Sequence, residues 1–194
     1  KNKNFKFYNI NINTNKLDNF FDDKYFDQVF HFAAQAGVRY SLINPRKYLD
    51  VNLHGFINLL ENLIKKKPKK FFYASSSSVY GDSNQFPLNE NIKLNPKNIY
   101  AYTKKLNEEI AEYYSKNFKI KSIGLRFFTI FGKWGRPDMF ILKLLSFNSK
   151  KRIFELNNNG NHYRDFTSIN DVLYILKILM KKSIKQHEVF NICS

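Results

Sequence analysis

Short apolar runs and longer amphipathic stretches take turns along the 194 residues. FKFYNINI at 5–12 predicts a strand, KLDNFFDD at 16–23 a short helix, and DQVFHFAA at 27–34 a second strand ending in small residues. Residues 44–67 predict a long helix with Val51, Phe56, Leu59, Leu60 and Ile64 as its apolar positions. The alternation continues with a strand at 70–76, a helix at 98–117, a strand at 120–128 and a helix at 138–148, and EVFNICS closes as a further strand. Strands alternating with helices predict an α/β fold in which crossover helices join parallel strands, a doubly wound parallel sheet. Such a sheet binds ligands beyond the carboxyl ends of its strands. Small or polar residues fall at those ends: Ala33 and Ala34, Ser75 to Ser78, and Thr129.

The richest chemistry lies between Phe71 and Glu108. FFYASSSSVYG reads as a buried strand that breaks into four serines, and NIYAYTKKLNEE opens a helix. Tyr100 and Lys104 are four apart, so on a helix they share a face. A phenol titrates near ~10 and is a poor base at neutral pH, but a fixed ammonium favours the phenolate and a serine hydroxyl can relay the proton. With 12 tyrosines in a lysine-rich chain, one or two Tyr-x-x-x-Lys pairs are expected by chance, and this is the one that occurs. Its setting gives it meaning: strand, serine cluster, Val-Tyr-Gly, then a helix opening on the pair.

Composition narrows the class. No apolar run approaches membrane-spanning length and no basic-then-apolar leader opens the chain, so neither a membrane partner nor export is expected. The single cysteine, Cys193, excludes an internal disulfide and fits a reducing cytoplasm. The four histidines show no metal-ligand spacing, so no metal is expected. The net charge of +16 would suit a nucleic-acid partner. Apart from KKKPKK at 65–70 and KKR at 150–152, however, the bases are scattered among abundant Asn, Ile, Phe and Tyr, which share AT-rich codons. The charge therefore reads as genomic composition, with 65–70 as the solvated end of a helix. No nucleic acid is expected, and a basic nucleic-acid module is the alternative.

HFAAQAGVRYS, ASSSSVYG, YAYTKK, LRFFTIFGKWGRPDM and YRDFTSINDV occur in that order, and together they resemble the extended short-chain dehydrogenase/reductase family. Within it they are most similar to the NAD-dependent nucleotide-sugar epimerases, above all those acting on UDP-glucuronate. The resemblance implies a Rossmann-like domain holding NAD, and 4-epimerisation of UDP-glucuronate to UDP-galacturonate through a 4-keto sugar. It implies Tyr100 as the base that takes the 4-OH proton, Lys104 as the residue that binds the nicotinamide ribose and holds Tyr100 ionised, and Ser76 as proton relay. Ala33, Ala34 and Gln35 would line the cofactor with Asn52 behind them, although close packing at a strand end would equally call for the alanines. A substrate carboxylate needs donors, which Ser77, Ser78, Thr129 and Arg136 could supply. An Arg136 to Asp138 pair is the structural alternative. The related 4,6-dehydratases carry Asp-Glu where this chain has Ser77-Ser78. Arg164 resembles the contact to the nucleotide diphosphate, and an ion pair with Asp165 is its alternative. Neutral-sugar 4-epimerases and other nucleotide-sugar dehydratases are the alternatives for the substrate, and a non-catalytic relative is a third class that intact Ser76, Tyr100 and Lys104 argue against.

The chain also departs from the family pattern. Its seven glycines begin at Gly37, so the Gly-rich turn that receives the cofactor pyrophosphate at a helix N-terminus is absent. The expectation is an internal piece of a longer enzyme, homodimeric at full length, whose first two strands are missing. Residues 1–130 would be a partial NAD-binding domain. Residues 131–194 would begin a smaller substrate-binding region and return a helix and strand to the first domain. Asn11 stands where the family has an Asp touching the adenine, and an amide can keep an altered contact. Ile99 replaces the usual proline before the tyrosine.

Overall fold

Phe71, Phe72 and Tyr73 are fully buried, as a continuous apolar run must be when it forms a strand covered on both faces. That strand, β2 (Lys70–Ser76), lies inside a four-stranded sheet in a computed structural model that describes residues 3–83, 85–149, 156–161 and 164–194. The KKR run at 150–152 and Tyr163 lie outside the described residues. The sheet is parallel, in the order β1 (Gln28–His31), β2, β3 (Ser122–Phe127), β6 (His187–Ile192). Val29 stands opposite Phe71 and His31 opposite Tyr73 in the first ladder.

The helices follow the sequence pattern. Helix α1 (Lys16–Asp22) contributes Leu17 and Phe21 to the core, and α4 (Gly55–Lys66) contributes Phe56, Leu59, Leu60 and Leu63. Both pack with Phe71 and Tyr73 of β2 and Ala111 of α5 (Ile99–Phe118). Each such side chain contributes about 1.5–3 kcal/mol on burial. Helix α4 ends at Lys67 in the left-handed conformation, with Lys65 and Lys66 in its last turn, where cations meet the free carbonyls. The predicted helix at 44–67 is three segments: α3 (Pro45–Leu49), one π-helical stretch at Asp50–His54, and α4. A short α2 (Val38–Ile43) precedes them and was not expected.

The strand expected at 5–12 does not form; residues 5–11 carry no regular structure and a turn follows. Among the described residues no ladder includes them, and an extended segment without a ladder partner is not a strand. Instead Ile10 and Ile12 pack on the core, and the Ile12 carbonyl accepts a hydrogen bond from Asn58 Nδ2. The close approach uses Gly55: a Cβ there would lie 2.5 Å from Asn13 Oδ1 and 2.7 Å from Ile12 Cδ1.

The chain divides into two compact units, 1–126 with 183–190 and 127–182 with 191–194. In the second, β4 (Thr129–Phe131) pairs in parallel with β5 (Phe166–Ser168), and the unit also holds α6 (Phe140–Ser149) and α7 (Ile169–Lys181). Ser168 caps α7 by accepting from the Asn170 amide.

Candidate active site

Helix α5 starts on a side-chain cap: Asn98 Oδ1 accepts the Ala101 amide at 2.9 Å. This satisfies a free first-turn donor and lets the helix begin at Ile99 without proline. Tyr100 therefore lies in the first turn, half-buried, edge-on to Tyr48 with ring centroids 6.3 Å apart. Tyr48 is itself anchored, its hydroxyl donating to the carbonyls of Ala36 and Gly37. One turn further, Lys104 Nζ lies 6.0 Å from the Tyr100 ring centroid.

Lys104 is only 3% exposed and donates to the Ala74 carbonyl of β2 at 2.9 Å. Burial pushes its pKa down from 10.5 to about 8. His31, at the end of β1, is pushed down to about 4, first by burial and then by the charge of Lys104. The imidazole is therefore neutral at physiological pH and adds no second cation beside the ammonium.

The serine cluster divides differently from the expected break. Strand β2 continues through Ser76, and a 3₁₀ turn takes Ser77–Tyr80. Ser76 is buried and its hydroxyl accepts the Ser78 amide at 3.2 Å, so it caps that turn; Ser77 and Ser78 are half-buried. Gly81 closes the turn at φ +63°, where a Cβ would lie 2.0 Å from the Asn95 carbonyl oxygen, which leaves glycine as the residue that fits.

Beyond β1, Ala33 is exposed, which removes close packing as its reason for being small, and Ala34 is half-buried. Gln35 is clamped by Asn52 of the π-helical stretch. Asn52 Oδ1 accepts the Gln35 amide at 2.8 Å, and Nδ2 donates to the Gln35 carbonyl at 3.1 Å and to Thr103 Oγ1 at 3.0 Å. Thr103 Oγ1 in turn donates to the Tyr100 carbonyl at 2.8 Å. One buried amide thus ties the loop after β1 to the Tyr100 turn, and single π-helical turns inside helices are frequent at functional sites. Asn11 forms a local turn, its Oδ1 accepting the Asn13 amide at 3.0 Å.

A buried network that sequence reasoning missed adjoins this site. Arg126 of β3 forks onto Glu108 of α5, Nε to Oε1 at 2.9 Å and Nη2 to Oε2 at 2.7 Å. Nη1 donates to the Tyr80 hydroxyl at 2.7 Å and the Glu90 carbonyl at 3.2 Å. Ser75 Oγ donates to Glu108 Oε1. Burial pulls the Arg126 pKa down, and the bonds and charge of Glu108, with Tyr80, more than reverse this. The available signals were a lone arginine inside the apolar run SIGLRF and a glutamate one turn beyond Lys104.

The remaining candidates belong to the second unit. Thr129 opens β4 and is half-buried. Arg136 is about half exposed and forks onto Asp138, Nε to Oδ1 at 3.0 Å and Nη2 to Oδ2 at 2.8 Å, which holds the Asp138 carboxyl below its ordinary pKa. Arg164 is exposed, and the Asp165 carboxylate beside it serves Thr167 Oγ1 at 2.7 Å and the Ser194 hydroxyl at 3.1 Å. Among the described residues no three His, Cys, Asp or Glu side chains gather as a metal site, and no helix is long and apolar enough to cross a membrane.

Known proteins are similar to this chain in sequence and fold. Protein CapI of Staphylococcus aureus is 42% identical over 183 residues, covering 93% of this chain and 54% of its own length. UDP-glucuronate 4-epimerase 4 of Arabidopsis thaliana is 46% identical over 153 residues, covering 76% of this chain and 35% of its own. Among solved structures, the UDP-glucuronic acid 4-epimerase from Bacillus cereus, in complex with UDP-glucuronic acid and NAD, superposes with a TM-score of 0.93 at 31% identity, over 100% of this chain and 61% of that one. The UDP-glucose 4-epimerase of Thermotoga maritima gives 0.92 at 27% identity, over 100% and 64%. The chain thus spans about half, or less, of the length of these curated relatives. Residues 1–193 match the NAD dependent epimerase/dehydratase family, and the chain belongs to it.

Proposed function

We propose that the full-length protein is an NAD-dependent enzyme that inverts C4 of a nucleotide sugar, interconverting UDP-glucuronate and UDP-galacturonate through a 4-keto sugar. The observation that carries this reading is a buried Lys104 one helical turn from Tyr100, on a helix packed against the strand that ends in Ser76. The residues present suit the nicotinamide half of the cofactor. Lys104 spends one of three ammonium protons on Ala74 and has others to offer a ribose hydroxyl, and the small, exposed Ala33 leaves the end of β1 open. When bound, NAD supplies reversible hydride exchange at the sugar carbon. Tyr100 takes the proton of the 4-hydroxyl and returns it to the same oxygen when the ring has turned over. Lys104 favours the phenolate by its charge, and the Ser76 hydroxyl bridges sugar oxygen and phenol.

For the substrate, Thr129, Ser77, Ser78 and Arg136 are the proposed donors to the uronate carboxylate, and Arg164 the contact to the diphosphate. A carboxylate entering a dehydrated cleft must recover the hydrogen bonds it had in water, or binding loses several kcal/mol. A neutral-hexose substrate is the second reading, favoured by the Asp138 carboxylate that already occupies Arg136. Comparing UDP-glucuronate with UDP-glucose in wild type and Arg136→Ala separates the two. The uronate reading requires a glucuronate preference that the substitution largely erases; a wild-type preference for UDP-glucose, or equal loss of both substrates, selects the neutral one. We place the enzyme in the cytoplasm as a homodimer. The exposed Tyr102, Leu106 and Tyr113 of α5 support a protein partner on that helix.

A further inference from the structure

We propose that Glu108 and Arg126 are positioning residues that fix the register of α5 against the end of β2, and so set where Tyr100 and Lys104 stand relative to Ser76. Two adjacent rungs join the two elements. Lys104 Nζ donates to the Ala74 carbonyl at 2.9 Å, and the next residue of the strand, Ser75, donates its hydroxyl to Glu108, one turn along the helix. A single rung would leave the helix able to pivot about it, whereas two rungs a turn apart fix its translation along the strand and its angle to it. The second rung is itself held by the two-point fork from Arg126, which is anchored in β3 and also grips the Tyr80 hydroxyl and the Glu90 carbonyl. The side chains of Arg126 and Glu108 are only 6% and 7% exposed. One guanidinium therefore gathers the 3₁₀ turn carrying Ser77 and Ser78, the strand carrying Ser76 and the helix carrying Tyr100 and Lys104.

Stability alone does not explain the choice of residues, because a buried ion pair is often no more stabilising than apolar side chains of the same volume. Its distinctive property is directional: the fork fixes distance and angle together, which dispersion contacts do not. None of the four side chains (Ser75, Tyr80, Glu108, Arg126) belongs to the proposed proton path, and the lowered pKa of Lys104 comes from burial rather than from the charges of Glu108 or Arg126, so placement is the route by which they reach Lys104. Small misplacements of reacting groups cost large factors in rate. The kinetic consequence rests on the epimerase reading; the consequence for local motion does not.

The test uses the full-length protein carrying Glu108→Gln, Arg126→Lys or the milder Ser75→Ala, which removes the second rung while leaving the ion pair in place. Hydrogen exchange is followed by mass spectrometry, and kcat and KM are measured with UDP-sugar well below the melting temperature. Exchange should rise selectively in peptides spanning 70–80 and 98–108, while those from α4 keep their protection. The first two variants should lower kcat by at least about tenfold with KM changed less than about threefold, and Ser75→Ala by about threefold. Arg126→Lys, which keeps the charge but loses the fork, should not rescue. Uniform loss of protection with kcat unchanged would overturn the proposal and leave the pair a stabiliser only. Selective loss of protection with kcat unchanged would overturn it too. If wild type turns over no UDP-sugar the epimerase reading fails, and the exchange data then decide the positioning claim alone: selective loss in 70–80 and 98–108 supports it, and its absence refutes it.

Discussion

Lys104 should make the protein less stable than it could be, and the deficit should depend on pH. Its ammonium is buried, and its pKa falls from 10.5 to about 8. A shift of that size corresponds to about 3 kcal/mol, at 1.36 kcal/mol per pKa unit. The folded state gives up this proton more easily than the unfolded one. Below about pH 8 the whole cost is present, and between about 8 and 10.5 the unfolded chain binds more protons, so stability rises with pH. Lys104→Met removes the charge and keeps most of the volume, but strands the Ala74 carbonyl, at a cost of about 1–3 kcal/mol. The net at pH 7 is a variant as stable as wild type or up to about 2 kcal/mol more stable, without activity, as expected where a functional group is kept against stability. Urea denaturation of both proteins at pH 7 and pH 10 measures this, and comparing variants cancels the titration of every other lysine. Relative to the Met variant, wild type should gain about 2–3 kcal/mol over that interval. A difference that stays constant within about 0.5 kcal/mol would refute the assignment of a strongly lowered pKa to this residue.

Tyr100→Phe should lower kcat more than tenfold, a barrier change above ~1.4 kcal/mol, while isothermal calorimetry finds nucleotide-sugar affinity nearly intact. Asn52→Ala should destabilise the protein by roughly 2–4 kcal/mol in urea titrations, because it removes both partners of the Gln35 backbone and one of Thr103. Calorimetry on residues 1–194 alone should detect little NAD binding, since no glycine precedes Gly37 to build a pyrophosphate turn; micromolar affinity would contradict this.

What the sequence made legible was local. The strand at 70–76 and the helices at 16–23 and 98–117 were readable because a continuous apolar run or a 3.6-residue periodicity is visible without knowing any neighbour. The segment at 5–12 misled for the opposite reason: its residues suit a strand, but a strand exists only through its ladder partner, and no ladder among the described residues includes it. Tyr100 and Lys104 were recoverable from helical spacing, whereas the Asn98 cap that starts the helix without a proline emerged only in the structure. The Arg126 to Glu108 pair joins residues 18 apart on different elements, and no periodicity links a strand residue to a helix residue. Nor does sequence say which of two acceptors an arginine chooses. Arg136 forks onto Asp138, whereas Arg164 leaves Asp165 to Thr167 and Ser194, although both arginines have an aspartate within two positions.

The most direct test is turnover itself. The full-length protein is incubated with UDP-glucuronate and a trace of NAD, and the sugar H4 signal is followed by proton NMR. The account predicts conversion to a mixture of UDP-glucuronate and UDP-galacturonate with no net consumption of NAD, abolished in Tyr100→Phe. A wild-type protein that binds NAD and the sugar nucleotide yet leaves C4 unchanged would contradict it.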